Sequence, residues 1–248
     1  MQAYEALAAH YDAFCLDVPY DGILAFYRTL FARAGIAPKL VLDLACGTGE
    51  MSRRLAEAGY EVIGADISPD MLAVASGKPC PDGAVAPIYI CQPMEALDLY
   101  GTIDAAVCCL DGIGYVTDER KLSRAFSRVR LFMNPGGVFI FDINAPSLLR
   151  ALDGCAFTRE DEDAFCVYQG DFDEKAGIFT YTLDLFEKQG RLYRRSTEEH
   201  RERAYEPERL REMLLAAGFA EAEIFGDRTL APPKADEERI FLCARAGK

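Results

Sequence analysis

The stretch Val41-Leu42-Asp43-Leu44-Ala45-Cys46-Gly47-Thr48-Gly49-Glu50 concentrates the most chemistry in the fewest residues: an apolar run carrying a carboxylate, followed by a glycine turn and a helix start. Glycines there let backbone pass close to a ligand, and the N-terminus of the following helix offers free N–H donors. A dinucleotide fingerprint would carry a third glycine where Ser52 stands, and Asp43 would oppose a pyrophosphate lying over the turn. A cationic nucleoside suits the turn better. S-adenosylmethionine, with an α-ammonium, a sulfonium and no phosphate, meets that description, and an acid beside the turn can bind its methionine end. Asp66 ends the next apolar run about twenty residues on, where an acid can accept both ribose hydroxyls.

Residues able to move a proton are few. Of the two histidines, His200 lies in an alternating segment, where it could serve as a general base facing an acceptor or pair with Glu198 or Glu202 on a surface strand. His10 precedes Tyr11 on a helical pattern and points off the Tyr11 face, as a surface residue. Asp111 and Tyr115 follow the fourth strand candidate, beyond whose carboxyl end open α/β sheets place ligands; a turn and a packed ring are the plainer alternatives. Tyr20, Phe165, Tyr168, Phe179 and Tyr181 could form an aromatic acceptor pocket or simply pack a core. Cys46 sits within the turn in a backbone role, and Cys108-Cys109 falls inside an apolar strand.

Positioning these residues requires a parallel sheet. Short apolar runs at Leu40 to Leu44, Glu61 to Ala65, Pro87 to Cys91, Ile103 to Cys109 and Val138 to Asp142 alternate with amphipathic segments, the pattern of strand and crossover-helix units. Helical patterns at Tyr4 to Phe14 and Gly22 to Ala34, the latter closed by Gly35, precede them. Ser68 with Pro69, and Thr117 ahead of Asp118 and Glu119, read as helix starts; Asn134-Pro135-Gly136 reads as a stop. From Cys155 to Arg203 the period changes to two, clearest at Phe179, Tyr181, Leu183 and Leu185, with turns at Asp173 to Gly177 and Gln189-Gly190: an inserted antiparallel meander. A helix from Pro207 to Gly218 and strands at Glu221 to Phe225 and Arg239 to Ala244 close the chain.

Composition narrows the partners. The 248 residues hold 50% hydrophobic residues, enough for a full core, and 27 Lys+Arg against 40 Asp+Glu give a net charge of −13. That balance repels polyanions and anionic membranes. The one basic cluster, Arg191, Arg194, Arg195, Arg201 and Arg203, is broken by Glu198, Glu199 and Glu202 and reads as a salt-bridged, solvated strand face. Nine cysteines without a C-x-x-C pair, and two histidines, exclude a metal site and fit a reduced compartment. The first 21 residues carry no Lys or Arg and no apolar run reaches membrane length, so a cytoplasmic protein is expected.

Leu7 to Asp12, Leu42 to Glu50, Gly64 to Leu72, Pro135 to Asp142, His200 to Arg203 and Ala217-Gly218-Phe219 together resemble the class I S-adenosylmethionine-dependent methyltransferase family, in particular its small bacterial members with an N-terminal helical extension. The resemblance implies a doubly wound, Rossmann-like, mostly parallel seven-stranded α/β sheet with an inserted antiparallel meander. A cofactor-binding core would comprise residues 1-150 and 204-248, including an N-terminal lid, and 151-203 a substrate subdomain. It also implies that Asp43, Ala45, Gly47 and Gly49 hold the methionine part of S-adenosylmethionine and Asp66 its ribose. Ile67 and Met71 would flank one side of the adenine and Met94 the other, Leu110 and Asp111 would line the end of the fourth strand, and Tyr11 would close over the cofactor. Pro93 stands where the family often has an acid, so a hydrogen bond to the adenine amino group falls to Gln92 or backbone. The Asn-Pro-Pro-aromatic and Pro-Cys signatures of nucleic-acid methylation are absent after the fourth strand, where Leu110-Asp111-Gly112-Ile113 stands. The expectation is methyl transfer to nitrogen or oxygen of a small molecule by a monomer or homodimer, with His200 and Asp111 as candidate bases. A non-catalytic S-adenosylmethionine-binding regulator and a nicotinamide-dependent oxidoreductase are the competing readings.

Overall fold

A computed structural model describes residues 4–80 and 82–247. In chain order they form α1 (Tyr11–Phe14), α2 (Tyr20–Ala34), β1 (Leu40–Leu44), α3 (Glu50–Glu57), β2 (Glu61–Asp66), α4 (Pro69–Gly77), β3 (Ile88–Cys91), β4 (Ile103–Cys108), α5 (Glu119–Phe132), β5 (Met133–Asn144) and α6 (Pro146–Ala151). There follow β6 (Ala156–Glu160), β7 (Ala164–Asp173), β8 (Ile178–Gln189), β9 (Leu192–Arg203), α7 (Pro207–Ala216), β10 (Phe219–Phe225) and β11 (Arg239–Ala246). Seven strands join in the order β10-β11-β5-β4-β1-β2-β3. The pairs from β5 to β3 are parallel, and β11 pairs antiparallel to both β5 and β10. A separate antiparallel sheet runs β6-β7-β8-β9. This is a Rossmann-like α/β architecture with an added antiparallel sheet.

Alternation along the strands divides the core between two faces. Leu42, Leu44, Phe139 and Phe141 point toward Phe126 of α5 and Leu210 and Leu214 of α7. Val41, Val138 and Ile140 point toward Ile23, Phe26 and Leu30 of α2 and Leu55 of α3. Each buried Phe, Leu or Ile contributes about 1.5–3 kcal/mol of apolar burial. Covering both faces is what lets the central strands read as continuous apolar runs.

Most elements fall where the pattern puts them; four differ. The expected helix over Tyr4 to Phe14 breaks into a 3₁₀ turn at Leu7–Ala9 and the short α1, because the Glu198 carboxylate takes the backbone N–H groups of Tyr4, Ala6 and Leu7 at 2.8, 2.6 and 3.1 Å. Asp118, not Thr117, caps α5, accepting from the N–H groups of Arg120 and Lys121. Asn134-Pro135-Gly136 ends the helix as expected but belongs to β5, which starts at Met133. Helix α6, with Pro146 in its first turn, was not anticipated. On β9 the alternation buries Ser196, Glu198, His200 and Glu202 and leaves Arg195, Glu199 and Arg201 exposed. The acids of the basic cluster therefore lie on two faces rather than one solvated face.

The carboxyl end of the sheet is braced by a buried acid. Asp142, wholly buried on β5, accepts the Leu110 N–H at 3.0 Å and pairs with the Arg239 guanidinium of β11. The end of β9 is tied to the same region: Arg203 N–H donates to the Gly114 carbonyl at 2.9 Å and its Nε to the Thr117 carbonyl at 2.7 Å. Arg239→Ala would leave the Asp142 charge buried without its partner. We expect a loss of about 3 kcal/mol in urea denaturation; a change below about 1 kcal/mol would mean the pair does not brace the sheet.

Candidate active site

The turn after β1 is built by backbone conformations that only small residues adopt easily. Ala45, Gly47 and Gly49 all have positive φ, at 55°, 52° and 76°. A Cβ on Gly49 would lie 2.4 Å from Tyr89 Oη, so both conformation and space demand glycine there. The Asp66 carboxylate at the end of β2 fixes the turn: one oxygen accepts Gly47 N–H at 2.8 Å and the other accepts Ser68 N–H at 2.8 Å. Burial pushes the Asp66 carboxyl up, against those same backbone hydrogen bonds. Ser68 in turn caps α4 through its hydroxyl, which accepts from Met71 N–H at 3.2 Å. On the other side the loop after β4 comes in so closely that a Cβ on Gly112 would meet Ala45 Cβ at 2.8 Å.

Between these loops, beyond the carboxyl ends of β1, β2 and β4, lies a cleft of about 430 Å³. Ala45 and Gly47 form its wall at the turn, with Asp66 next to them. Ile67, Met71, Pro93 and Met94 line one part of it, and Leu110, Tyr11 and Tyr115 another. Gln92 lines it too, but its side-chain amide is already engaged with the Asp98 backbone, accepting N–H at 2.8 Å and donating to the carbonyl at 3.3 Å. Sequence reasoning passed over Tyr4, Glu95, Thr117, Asp118 and Lys121, all of which line the cleft; Lys121 Nζ pairs with Glu95 at 3.3 Å. These residues come from loops and helix starts, whose local pattern carries no trace of what they face.

Four expected site residues stand behind the wall. Asp43 is 1% exposed; Ser52 Oγ donates to one of its oxygens at 2.6 Å, and the other has no hydrogen-bond partner among the described residues. Burial pushes this carboxyl up to about 7, opposed in part by Ser52. Gly49 is the N-cap of α3 and does not line the cleft. Asp111 is buried and accepts Asn144 N–H at 3.0 Å, while Asn144 Nδ2 also reaches Glu202 at 3.4 Å. Burial and the neighbouring Glu202 hold the Asp111 carboxyl well above its usual range, and this pair of acids joins the meander to the core. His200 is wholly buried, with Nδ1 3.3 Å from Tyr115 Oη and Nε2 3.0 Å from Glu198. It is one side chain removed from the cleft, and it is not a surface residue.

Other expectations change in the same way. His10 is no free surface residue: Nδ1 lies 2.9 Å from Asp161 and Nε2 3.7 Å from Glu187, tying the N-terminal segment to the second sheet. None of the five aromatics expected to form a pocket lines the cleft. Tyr20 lies under Arg54, Phe179 packs with Leu149 and Phe172, Phe165 is exposed, Tyr168 stacks on Phe157, and Tyr181 stacks on His200. Tyr4, Tyr11 and Tyr115 supply the aromatic wall instead. The Cys46 thiol is held well above its usual range by burial and by Asp43 and Asp66, which leaves it inert.

The N-terminal segment lies over this site. Thr48 Oγ1 of the glycine turn donates to Asp12 at 2.5 Å, and Lys78 bridges Asp12 at 2.5 Å and Glu50 at 2.8 Å. Glu198 of β9 holds the start of the segment.

Residues 41–137 match a family described as "Methyltransferase domain". Over 99% of this chain and 98% of the relative, the sequence is 30% identical to the protein named "Putative methyltransferase YqeM" of Bacillus subtilis (strain 168). Among solved structures, an S-adenosylmethionine-dependent methyltransferase from Clostridium acetobutylicum ATCC 824 superposes with a TM-score of 0.84 at 28% identity, covering 100% of both chains. The sugar N-methyltransferase KedS8 from Streptoalloteichus sp ATCC 53650 shares the fold, with a TM-score of 0.78 at 22% identity over 96% of this chain and 93% of that one.

The burial of Asp43 sets a pH dependence. Its folded pKa of about 7 exceeds the ordinary value, so between about pH 4 and pH 7 the folded state holds a proton that the unfolded state has lost. Its contribution to stability therefore falls as pH rises through that window. Asp43→Asn can still accept from Ser52 and has no charge to bury. Relative to the parent, we expect the ligand-free variant to gain about 2–4 kcal/mol between pH 4 and pH 7 in denaturation experiments. Parallel stability curves for the two proteins would contradict the assignment.

Proposed function

The chain belongs to the S-adenosylmethionine-dependent methyltransferase family, and from that premise we propose that it transfers a methyl group to a nitrogen or oxygen of a small-molecule acceptor by in-line displacement. The observation that carries the reading is the cleft itself, which has a strand-end carboxylate and a bare glycine turn at one wall and three tyrosines at another. The residues present fit the cofactor. Asp66 retains lone pairs for ribose hydroxyls, the turn brings backbone within reach of a methionine chain, and Ile67, Met71 and Met94 offer apolar contact to a planar base. A pyrophosphate finds no such support. Lys121 is the one Lys or Arg in the cleft among the described residues, and it is paired with Glu95.

When bound, S-adenosylmethionine supplies a methyl carbon already activated on a sulfonium. What the chain must add is alignment, exclusion of water and an outlet for the acceptor's proton. Tyr4 and Tyr11, on the N-terminal segment anchored by Asp12 and Glu198, cover the cleft and keep water from it. Asp43 acts through Ser52 at the first turn of α3 rather than by touching the ligand. In this reading residues 1-150 and 204-248 form the cofactor-binding core and 151-203 the substrate subdomain. The acceptor is small because the cleft is roofed and the −13 charge opposes a polyanion. No helix of the described residues is long and apolar enough to cross a membrane, and we place the protein in the cytoplasm.

Calorimetric titration with S-adenosylmethionine, S-adenosylhomocysteine and NAD, followed by mass-spectrometric screening of amines and alcohols for added methyl groups, tests this reading. We expect both adenosyl ligands to bind in the micromolar range, about −8 kcal/mol, and NAD not to bind. Asp66→Ala should weaken the adenosyl ligands by about 1–3 kcal/mol. Binding of NAD alone would revive the oxidoreductase reading; adenosyl binding with no methylated product across the panel would favour the non-catalytic one.

A further inference from the structure

Three phenols and one imidazole meet at the end of the cleft. Tyr4 and Tyr115 line it, and the Tyr115 hydroxyl is hydrogen-bonded to those of Tyr4 and Tyr181. It also lies 3.3 Å from His200 Nδ1, and His200 Nε2 lies 3.0 Å from Glu198. The histidine is fixed by stacking on Tyr181 at 4.9 Å and by the edge of Tyr4 at 4.5 Å.

Proton accounting gives this cluster a direction. Glu198 receives three backbone N–H groups and an imidazole nitrogen, and these hold its carboxyl below the usual range although burial pushes it up. A carboxylate only accepts, so His200 Nε2 carries a proton; with a single ring proton the lone pair falls on Nδ1, beside the Tyr115 hydroxyl. Tyr115 must then donate to Nδ1 while accepting from Tyr4 and Tyr181. The Tyr4 oxygen lies at the cleft with the Tyr181 hydroxyl as a second neighbour, which leaves it one lone pair for an acceptor's proton.

We infer that Tyr4, Tyr115 and His200, backed by Glu198, form a relay that removes a proton from the acceptor's hydroxyl or amine as it is methylated, and that closure of the N-terminal segment assembles it. This rests on the methyltransferase reading. The acceptor's proton passes to Tyr4 Oη, that of Tyr4 to Tyr115 Oη, and that of Tyr115 to His200 Nδ1. One proton leaves the acceptor, one is gained by His200, and no phenolate is left behind. That matters because burial holds the phenols of Tyr4, Tyr115 and Tyr181 well above their usual range. The imidazolium so formed faces Glu198 and Glu202, and its proton returns to water when the segment opens. Tyr4 is the catalytic residue of this relay; Tyr115, His200 and Glu198 are positioning residues that act through it.

Closure and relay share one carboxylate. Glu198 takes the backbone N–H of Tyr4, which sits at φ 63°, and at the same time orders His200. A non-glycine residue held in that region marks a constraint imposed from outside the segment.

Nitrogen-15 NMR of the two histidine rings in the full chain, with and without S-adenosylhomocysteine, reads the tautomer directly; His10→Gln assigns the signals. We expect His200 as the neutral Nε2–H form with Nδ1 accepting a hydrogen bond, and a displaced Nδ1 resonance in Tyr115→Phe. Glu198→Gln should mix the tautomers. An Nδ1–H form in the parent protein, or an Nδ1 signal unmoved by Tyr115→Phe, overturns the relay. With an acceptor from the screen, Tyr4→Phe, which keeps the ring, should lower kcat by about 10²- to 10⁴-fold, far more than it changes cofactor affinity; an unchanged kcat also overturns it. Failure to bind adenosyl ligands would instead strike the methyltransferase reading, since the tautomer is measured whether or not a ligand binds.

Discussion

Two hydrogen bonds to one carboxylate set the geometry on which the site depends. Asp66 holds Gly47 N–H with one oxygen and Ser68 N–H with the other, joining the turn after β1 to the turn after β2. Without that tie, three positive-φ positions at alternate residues, Ala45, Gly47 and Gly49, would have little to keep them folded over the strand ends. The neighbouring strands use the same device. Asp43 of β1 takes the Ser52 hydroxyl, Asp142 of β5 takes Leu110 N–H, and Asp111 takes Asn144 N–H. Acids at the carboxyl ends of the strands thus shape the loops, and the cleft is the space those loops leave.

The second sheet contributes through one polar face. Along β9, Glu198, His200 and Glu202 alternate inward at positions that an ordinary sheet would fill with apolar side chains. Burying three titratable groups costs several kcal/mol unless each is partnered, and each is. Glu198 takes the N-terminal segment, His200 the Tyr115 hydroxyl, and Glu202 the Asp111 and Asn144 cluster at the end of the core sheet. The added sheet, the N-terminal cover and the core are therefore joined through this face.

How much of this was legible follows from how local each signal is. Strands β1 to β5 and the glycine turn were readable because period and turn chemistry lie within a few residues of each other, and Asp66 because it ends a strand. The N-terminal helix was misread because Glu198, more than 190 residues away, decides the conformation of Tyr4, Ala6 and Leu7. On β9 the signal was present in Ser196, Glu198, His200 and Glu202 at period two; interleaved arginines made it look like a solvated face. Asp43 is an acid of the type expected at a cofactor site, yet strand geometry turns it toward Ser52, and it does not line the cleft. Tyr4, Thr117 and Lys121 had no local signal, since only the packing of separate loops brings them together.

The proposed methyl transfer requires that the cleft organised by Asp66 receive the adenosyl cofactor. A crystal structure of the protein with S-adenosylhomocysteine tests it most directly. Ribose hydroxyls are expected within hydrogen-bonding distance of the Asp66 carboxylate, with the adenine between Met71 and Met94. A ligand lying elsewhere, or an Asp66 that touches only Gly47 and Ser68 while the ligand is bound, would contradict it.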